Sequence, residues 1–483
     1  MSEQKYGISR IYSRILPKKR ELVFNFAVVF TMIMNWERLI SDKRFGKEDR
    51  HEQRREMRTQ FQRDYDRLIF SAPFRRLQNK TQVFPLPGSI FVHNRLTHSL
   101  EVSSVGRSLG NDSARELIRK HPETPHGVFD PFGAIVSAAC LAHDLGNPPF
   151  GHSGERAIIS YFKEGQGARL KDYTAPDGDR LTEAQWNDII HFDGNANTFR
   201  LLTHQFAGRR KGGFVMTYST LAAIVKYPYA SSLAHKKAKF GFFESEKESY
   251  RRIADELGIP GKEVGPGRYS YVRHPLVYLV EAADDICYEI MDIEDAHKLR
   301  LLSDTHTIEL LLSFFDTSTQ DRITSEFTEV TDTNERIVYL RSCVINALEQ
   351  ACVSIFVDHE EDLLAGTFSG SLIDHLPGRM LDAYRQCEHI ARRHIYECKD
   401  VVDIDLAGYR IIYTLLELMM DAMLSPEKAY SKLLISRVSE QYQLTAPRLY
   451  DRVMAVLDYI SGMTDVYALD LYRKINGNSL PMV

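Results

Sequence analysis

The stretch VYLVEAADDICYEIMDIEDA lies within a strongly helical run from Leu276 to Leu302 and sets carboxylates into an otherwise apolar helix. A helix of that length and apolarity has to be buried against neighbours. A buried carboxylate in turn needs a cation, a metal or a proton. Asp284 therefore asks for a partner, and two other helical patterns offer one. The first starts near Asn94 and places His98, Val102, Val105 and Leu109 on one stripe, with Gly110 as the expected stop. The second opens at Pro131, carries Ile135, Ala138, Ala139 and Ala142 on a small apolar face, and ends at Gly146, just after His143-Asp144. A further helix is expected from Ser153, and helical patterns dominate from Leu276 to Ile475. Sustained period-2 alternation and internal repeats are absent, so the expected class is all-α.

Between these patterns, PLPG at 85–88 reads as a turn. The stretch 163–187, rich in Gly, Pro and Asp, reads as a flexible insertion or lid, and 257–275 as a second irregular stretch. From Trp36 to Lys80 arginines alternate with acids, the pattern of a solvated helix face. The start of the chain differs: Lys18-Lys19-Arg20 precede an apolar stretch from Leu22 to Met34, interrupted by Asn25 and Thr31. It is shorter than the roughly 20 apolar residues of a membrane span, and no small-residue cleavage site follows it. Residues 1–33 are expected to be an extension outside the fold, with no stable membrane association; an interfacial or packed helix and an export segment are the alternatives.

A net charge of −4 leaves no overall bias toward nucleic acid or anionic membrane, so any anion-binding surface has to be local. Six cysteines without a CxxC pair argue against a disulfide framework or a zinc-thiolate site and for a reducing, cytoplasmic setting. Basic patches with aromatics nearby stand at Arg209-Arg210-Lys211 and Lys236-Lys237, with Tyr227 and Tyr229. Such patches are ordinarily solvated, although basic grooves with aromatics also suit single strands.

His98, His143, Asp144 and Asp284 read together give a mixed nitrogen and oxygen donor set, suited to divalent metals that activate water. Taken singly, each has an ordinary alternative. A buried histidine is commonly a hydrogen-bonded core residue, an HD dipeptide carries little information, and Asp284 could pair with an arginine.

The local sequences add a resemblance. RLTHSLEVSSVGR, LAHDLGNPPFGHSGE and EAADDICYEIMDIEDA together resemble the deoxyguanosinetriphosphate triphosphohydrolase family of HD-domain enzymes. FRRLQNKTQVFPL, HFDGNANTFRL, GYRII and YISGMTDVYALDLYRK also look like segments of that family, from about Met34 to about Ile475. The resemblance implies an HD catalytic core over 34–300 and an additional helical C-terminal region over 301–483. It implies metal ligation by His98, His143, Asp144 and Asp284, with magnesium or manganese as the expected ion, and it favours Asp284 over Asp285. Asp284, Tyr288 and Asp292 share one helix face. In the family this face carries a metal ligand, an aromatic beside the substrate and a carboxylate near the sugar hydroxyl. Arg95 resembles a phosphate-binding arginine and Gln82 the residue that bonds the deoxyribose 3′-hydroxyl; a surface salt bridge and a loop-ordering amide are their ordinary alternatives. Related enzymes often have lysine after the ligand aspartate. Here it is Asp285, so Lys226 is the expected phosphate contact.

His152 and Glu155, three residues apart, share a helix face if both are helical. A His–acid pair at this place in related enzymes implies a general acid for the leaving 5′-oxygen; bracing of the NPPFG turn is the alternative. With no Gly-rich phosphate loop, phosphates would be held by basic side chains and metal. The expected activity is hydrolysis of a deoxynucleoside triphosphate, dGTP foremost, to deoxynucleoside and inorganic triphosphate. Other HD phosphohydrolase activities and a nucleotide-sensing nucleic-acid binder are the competing classes. The resemblance also implies a homo-oligomer, a hexamer among the states expected, with single-stranded DNA as a candidate regulator.

Overall fold

The computed structural model describes residues 33–48, 57–84, 92–234 and 239–478. Residues 1–32, the PLPG turn and the Lys236-Lys237 pair lie outside the described residues. Helices account for nearly all regular structure, as the periodicity implies. The exception is an antiparallel hairpin of β1 (Gly261–Gly265) and β2 (Arg268–Tyr271). It occupies the irregular stretch 257–275, where Gly265 and Gly267 serve the turn.

Helix α1 (Gln60–Ile69) precedes the long helix α2 (Arg95–Lys120). Asn94 caps α2: its side-chain oxygen accepts the N–H groups of Leu96 and Thr97, and Thr97 Oγ1 accepts the Asn94 N–H in return. The helix does not stop at Gly110. It continues for more than two turns, because Gly110 is a contact point with α3 (Phe132–Ala142). A Cβ on Gly110 would stand 2.8 Å from the Gly133 Cα, and Ser103 Oγ donates to the Ser137 carbonyl at 2.8 Å along the same seam. Small residues therefore let α2 and α3 approach closely. Gly110→Val is expected to cost about 1–3 kcal/mol through overpacking, read as a lower urea midpoint. An unchanged midpoint would show that the two helices can separate without loss.

Both helices pack against α8 (Leu276–Lys298), the carboxylate-bearing helix. Between them in the chain come α4 (Gly151–Lys163), α5 (Glu183–Ile190), α6 (Gly194–Thr203) and α7 (Tyr218–Ile224). On the far side of α8, α9 (Thr333–Asp358) is long and apolar enough by composition to cross a membrane. One side of it buries Leu340, Val344, Leu348, Cys352 and Phe356 and packs on α8 and α2. Later helices α10 (Lys399–Leu424), α11 (Leu449–Ser461) and α12 (Asp465–Ile475) form a second apolar cluster with α4 and α5.

Two expectations change. The 163–187 stretch is not a lid: Leu170 and Leu181 are buried in the second cluster, and the Asp179 carboxylate accepts the Leu449 N–H at 2.6 Å. Its polar composition reflects turns and short 3₁₀ structure on top of those anchors. Nor is the 36–80 region only a solvated face. Arg44 pairs at 2.7 Å with the fully buried Asp64, which also takes the Thr217 hydroxyl at 2.6 Å.

Candidate metal centre and active site

Helices α2, α3 and α8 converge on one cavity of about 220 Å³. From α2 comes His98, buried on its stripe; from the turn after α3 come His143 and Asp144; from α8 comes Asp284. One donor atom each of His98, His143 and Asp284 lie within 4.8 Å of one another. His98 Nε2 is 3.1 Å and His143 Nε2 3.5 Å from the same Asp284 oxygen. His143 Nδ1 sits 2.6 Å from the Cys140 carbonyl. That contact requires the proton on Nδ1 and leaves the Nε2 lone pair facing the cavity, which is the arrangement a metal-binding imidazole needs. The donor set therefore fits a divalent ion.

Asp144 stands slightly apart. Its Oδ1 is 3.6 Å from His143 Nε2 and accepts the Asn147 amide, while Oδ2 is ion-paired with Arg95. Burial would raise the Asp144 carboxyl, but the Arg95 guanidinium and the two histidines hold it well below the usual range. Asp284 is likewise lowered: burial acts against it, and the two imidazoles outweigh burial. Burial disfavours the His143 cation, yet the adjoining Asp144 and Asp284 carboxylates lift that imidazole above its ordinary value. The cluster is thus electrostatically closed, each anion facing a cation or an imidazole.

The turn after Asp144 is fixed from outside. Phe150 adopts the left-handed region at φ 60°, with its N–H on Asp465 Oδ1 at 2.9 Å. Buried Lys80 donates to the carbonyls of Asn147 at 2.6 Å and Ser461 at 2.9 Å. The segment joining α11 to α12 therefore braces the loop that carries His152.

Gln82, Arg95, His152, Glu155, Lys226 and Tyr288 all line the cavity. Among the described residues the buried Gln82 Oε1 atom, an acceptor, has no hydrogen-bond partner. Arg95 is not a surface salt bridge: it is 4% exposed and held by Asp144. Lys226 is not a free cation, because its Nζ pairs with Glu281 at 2.9 Å, and Glu281 also holds Arg273. His152 and Glu155 share the cavity, but no hydrogen bond joins them among the described residues. Glu155 Oε1 accepts the Gly194 N–H at 2.7 Å, and Oε2 faces Lys239 at 3.8 Å. Burial depresses the His152 imidazole, and Arg95 and Lys239 add to this, against the pull of Glu155. Charged His152 is therefore not the form that the ligand-free site favours.

Asp292 is not in the cavity wall. Its buried carboxylate accepts the Tyr396 hydroxyl at 2.6 Å, and burial pushes it up to about 7. Tyr396 closes against Tyr288 with ring centroids 6.0 Å apart. The basic and aromatic patch also divides: Tyr227 lines this cavity, whereas Arg209 and Arg210 line a different one.

Four polar wall residues escaped the sequence reading, Asn147, Asn195, Lys239 and Glu281, and Tyr227 was read only as an aromatic beside a basic patch. Asn147 lies inside the NPPFG loop and Asn195 inside the HFDGNANTFRL segment, so a polar residue in a recognised segment was the available signal. Lys239 ends the run HKKAK, whose density suggested only a solvated patch.

Comparisons with known proteins agree with this geometry. Residues 95–181 match the HD domain, and residues 375–474 match the phosphohydrolase-associated domain. The chain is 37% identical to a deoxyguanosinetriphosphate triphosphohydrolase-like protein of Synechocystis sp., over 92% of this chain and the whole of the relative. It is 38% identical to a like-named protein of Pseudomonas aeruginosa, over 93% of this chain and all of that protein. A deoxyguanosinetriphosphate triphosphohydrolase of Yersinia enterocolitica shares 30% identity, covering 89% of this chain and 96% of its own length. With an HD domain and relatives at 30–38% identity matched over 96–100% of their own length, the chain belongs to the deoxyguanosinetriphosphate triphosphohydrolase family of HD-domain hydrolases.

Proposed function

We propose that the enzyme hydrolyses deoxynucleoside triphosphates, with dGTP as the preferred substrate, to deoxynucleoside and inorganic triphosphate, using Mg or Mn held by His98, His143, Asp144 and Asp284. The observation that carries this reading is the convergence of that donor set with basic side chains in one cavity: Arg95, Lys226 and Lys239 stand around it. A bound divalent ion supplies an electrophile for phosphate oxygens and makes water a better nucleophile. Every wall residue of the cavity lies between Gln82 and Tyr288, which supports placing the catalytic core in 34–300.

The chain's own groups do the rest. Arg95, oriented by Asp144, faces the α-phosphate region, and Lys239, only loosely engaged by Glu155 and Asp193 at 3.8 and 3.6 Å, is ready to turn to a phosphate. Lys226 has to exchange or share Glu281 to do the same. The unpartnered Gln82 oxygen accepts a sugar hydroxyl, with Tyr288 as the apolar wall. Polyphosphate charge in the cavity offsets Arg95 and Lys239, which raises His152 and loads it with the proton that the leaving 5′-oxygen requires. Asp292 acts behind the wall, ordering Tyr396 and Tyr288.

Buried free thiols at Cys140, Cys287, Cys352 and Cys387 support a reducing, cytoplasmic setting. The test is turnover of each of the four deoxynucleoside triphosphates with Mg or Mn, with and without added activating nucleotides, and separation of products. Deoxynucleoside and tripolyphosphate are expected in equal amounts, fastest from dGTP. Orthophosphate or pyrophosphate as the first product would overturn the reading.

A further inference from the structure

Segments far apart in the chain meet behind the active site at one carboxylate. Asp465 opens α12, where the Thr464 hydroxyl caps the helix by accepting the Tyr467 N–H at 3.1 Å. Asp465 is 5% exposed and lines no part of the catalytic cavity. Its two oxygens are divided between two backbone segments. Oδ2 accepts the Thr81 N–H at 2.7 Å, and Oδ1 accepts the Phe150 N–H at 2.9 Å. Thr81 immediately precedes Gln82, and Phe150 stands two residues before His152. One buried carboxylate therefore ties the backbone beside Gln82 to the backbone beside His152, through charge-assisted hydrogen bonds.

Both attachments are stiff. Thr81 also bridges to Asn94, and the Arg95 N–H donates to the Lys80 carbonyl at 3.2 Å, so this segment is fixed to the start of α2. Phe150 holds a left-handed conformation that a bulky residue adopts only when its surroundings impose it. Its ring lies on Gly408 of α10, where a Cβ would stand 2.5 Å from the Phe150 Cγ. Lys80 ties the Asn147 and Ser461 carbonyls together next to the carboxylate. Burial and Arg76 depress the Lys80 amine to about 7, and Asp465 is the foremost charge acting against them. Asp465 and Gly408 belong to the stretch that matches the phosphohydrolase-associated domain, whereas Phe150 and His152 belong to the HD match.

We propose that Asp465 is a positioning residue that fixes Gln82 and His152 relative to each other, and so sets together the preference for a 3′-hydroxyl and the delivery of a proton to the 5′-oxygen. The inference rests on the roles proposed above for Gln82 and His152. The 3′-hydroxyl and the 5′-oxygen belong to one sugar, so the two protein groups have to match a fixed separation. A misplacement of about 1 Å can cost about 10²-fold in rate. The C-terminal region thereby takes part in the reaction without supplying a wall residue.

The test uses the full-length, metal-loaded enzyme and Asp465→Asn, with Gln82→Ala alongside. Asparagine keeps the volume and one acceptor oxygen but turns an NH₂ group toward the other backbone N–H, which releases one of the two segments. Turnover of dGTP is expected to fall about 10²-fold. The preference for dGTP over its 2′,3′-dideoxy analogue should shrink about tenfold, as for a lost charge-assisted hydrogen bond. The loss should be smaller on a p-nitrophenyl phosphodiester, whose leaving group needs no proton, and metal content should be unchanged. Asp465→Glu retains the charge beside Lys80 and should show the same split to a lesser degree, which keeps the test open if the asparagine variant folds poorly. A brace with no part in positioning would lower Tm and scale turnover of all three substrates equally. That equal scaling, a preference unchanged in Asp465→Asn while Gln82→Ala abolishes it, or failure of both Asp465 variants to fold would overturn the proposal. A preference untouched by Gln82→Ala would overturn the sugar-contact role of Gln82 itself, and the proposal with it.

Discussion

Asp144→Asn is expected to strip bound metal and reduce turnover to background while the protein stays folded. The carboxylate lies at the meeting point of two systems: its Oδ1 faces His143 Nε2 at 3.6 Å, and its Oδ2 holds the buried Arg95. Asparagine keeps the shape but removes the charge that a divalent ion needs beside two neutral imidazoles and Asp284. Asp144→Ala is the harsher change. It leaves Arg95 buried and uncompensated, which for a broken buried pair costs about 3–5 kcal/mol, so lost activity there would mix catalysis with stability. Elemental analysis of the asparagine variant separates the two. Full metal occupancy in a folded, inactive protein would make Asp144 the anchor of Arg95 and not a ligand.

His152→Ala is expected to keep metal and bind substrate yet lose about 10²–10⁴ in turnover, the usual range for a general acid. The loss should shrink on a p-nitrophenyl phosphodiester, whose leaving group needs no proton; an equal loss on both substrates would argue against the acid role. The pH dependence has a definite sign. Turnover that requires protonated His152 falls as pH rises through its pKa. Burial, then Arg95 and Lys239, depress that value against Glu155. Lys239→Gln removes one depressing charge, so the alkaline limb should move to higher pH in that variant. A limb that stays in place, or moves to lower pH, would mean that the titration belongs to another group.

Helical class was legible because the apolar stripes are long and regular, and α2, α3 and α8 stand where His98, His143 and Asp284 placed them along the chain. Their convergence was not legible from spacing: His98 and Asp284 are 186 positions apart, and only resemblance joined them. Local rules misled where tertiary contact overrode them. Gly110 reads as a helix stop because glycine ends helices, but it also permits the backbone of α2 to meet Gly133. The 163–187 stretch reads as a lid because composition conceals single anchors such as Leu170 and Leu181. Asp292 shares a helix face with Asp284 and Tyr288, yet eight residues along a helix are about 12 Å of rise, enough to carry it past the cavity to Tyr396. Arg209-Arg210 was legible as a basic pair, but its meeting with Arg67 and Arg76 around one cavity was not, because those two lay among charges that looked solvated.

The most direct test of the central claim is turnover in ¹⁸O-enriched water followed by phosphorus NMR and mass analysis of both products. Water attack at the α-phosphorus, with the 5′-oxygen leaving, places the label on a terminal phosphate of tripolyphosphate and leaves the deoxynucleoside unlabelled. Label in the deoxynucleoside 5′-hydroxyl, or in orthophosphate or pyrophosphate released as the first product, would contradict it.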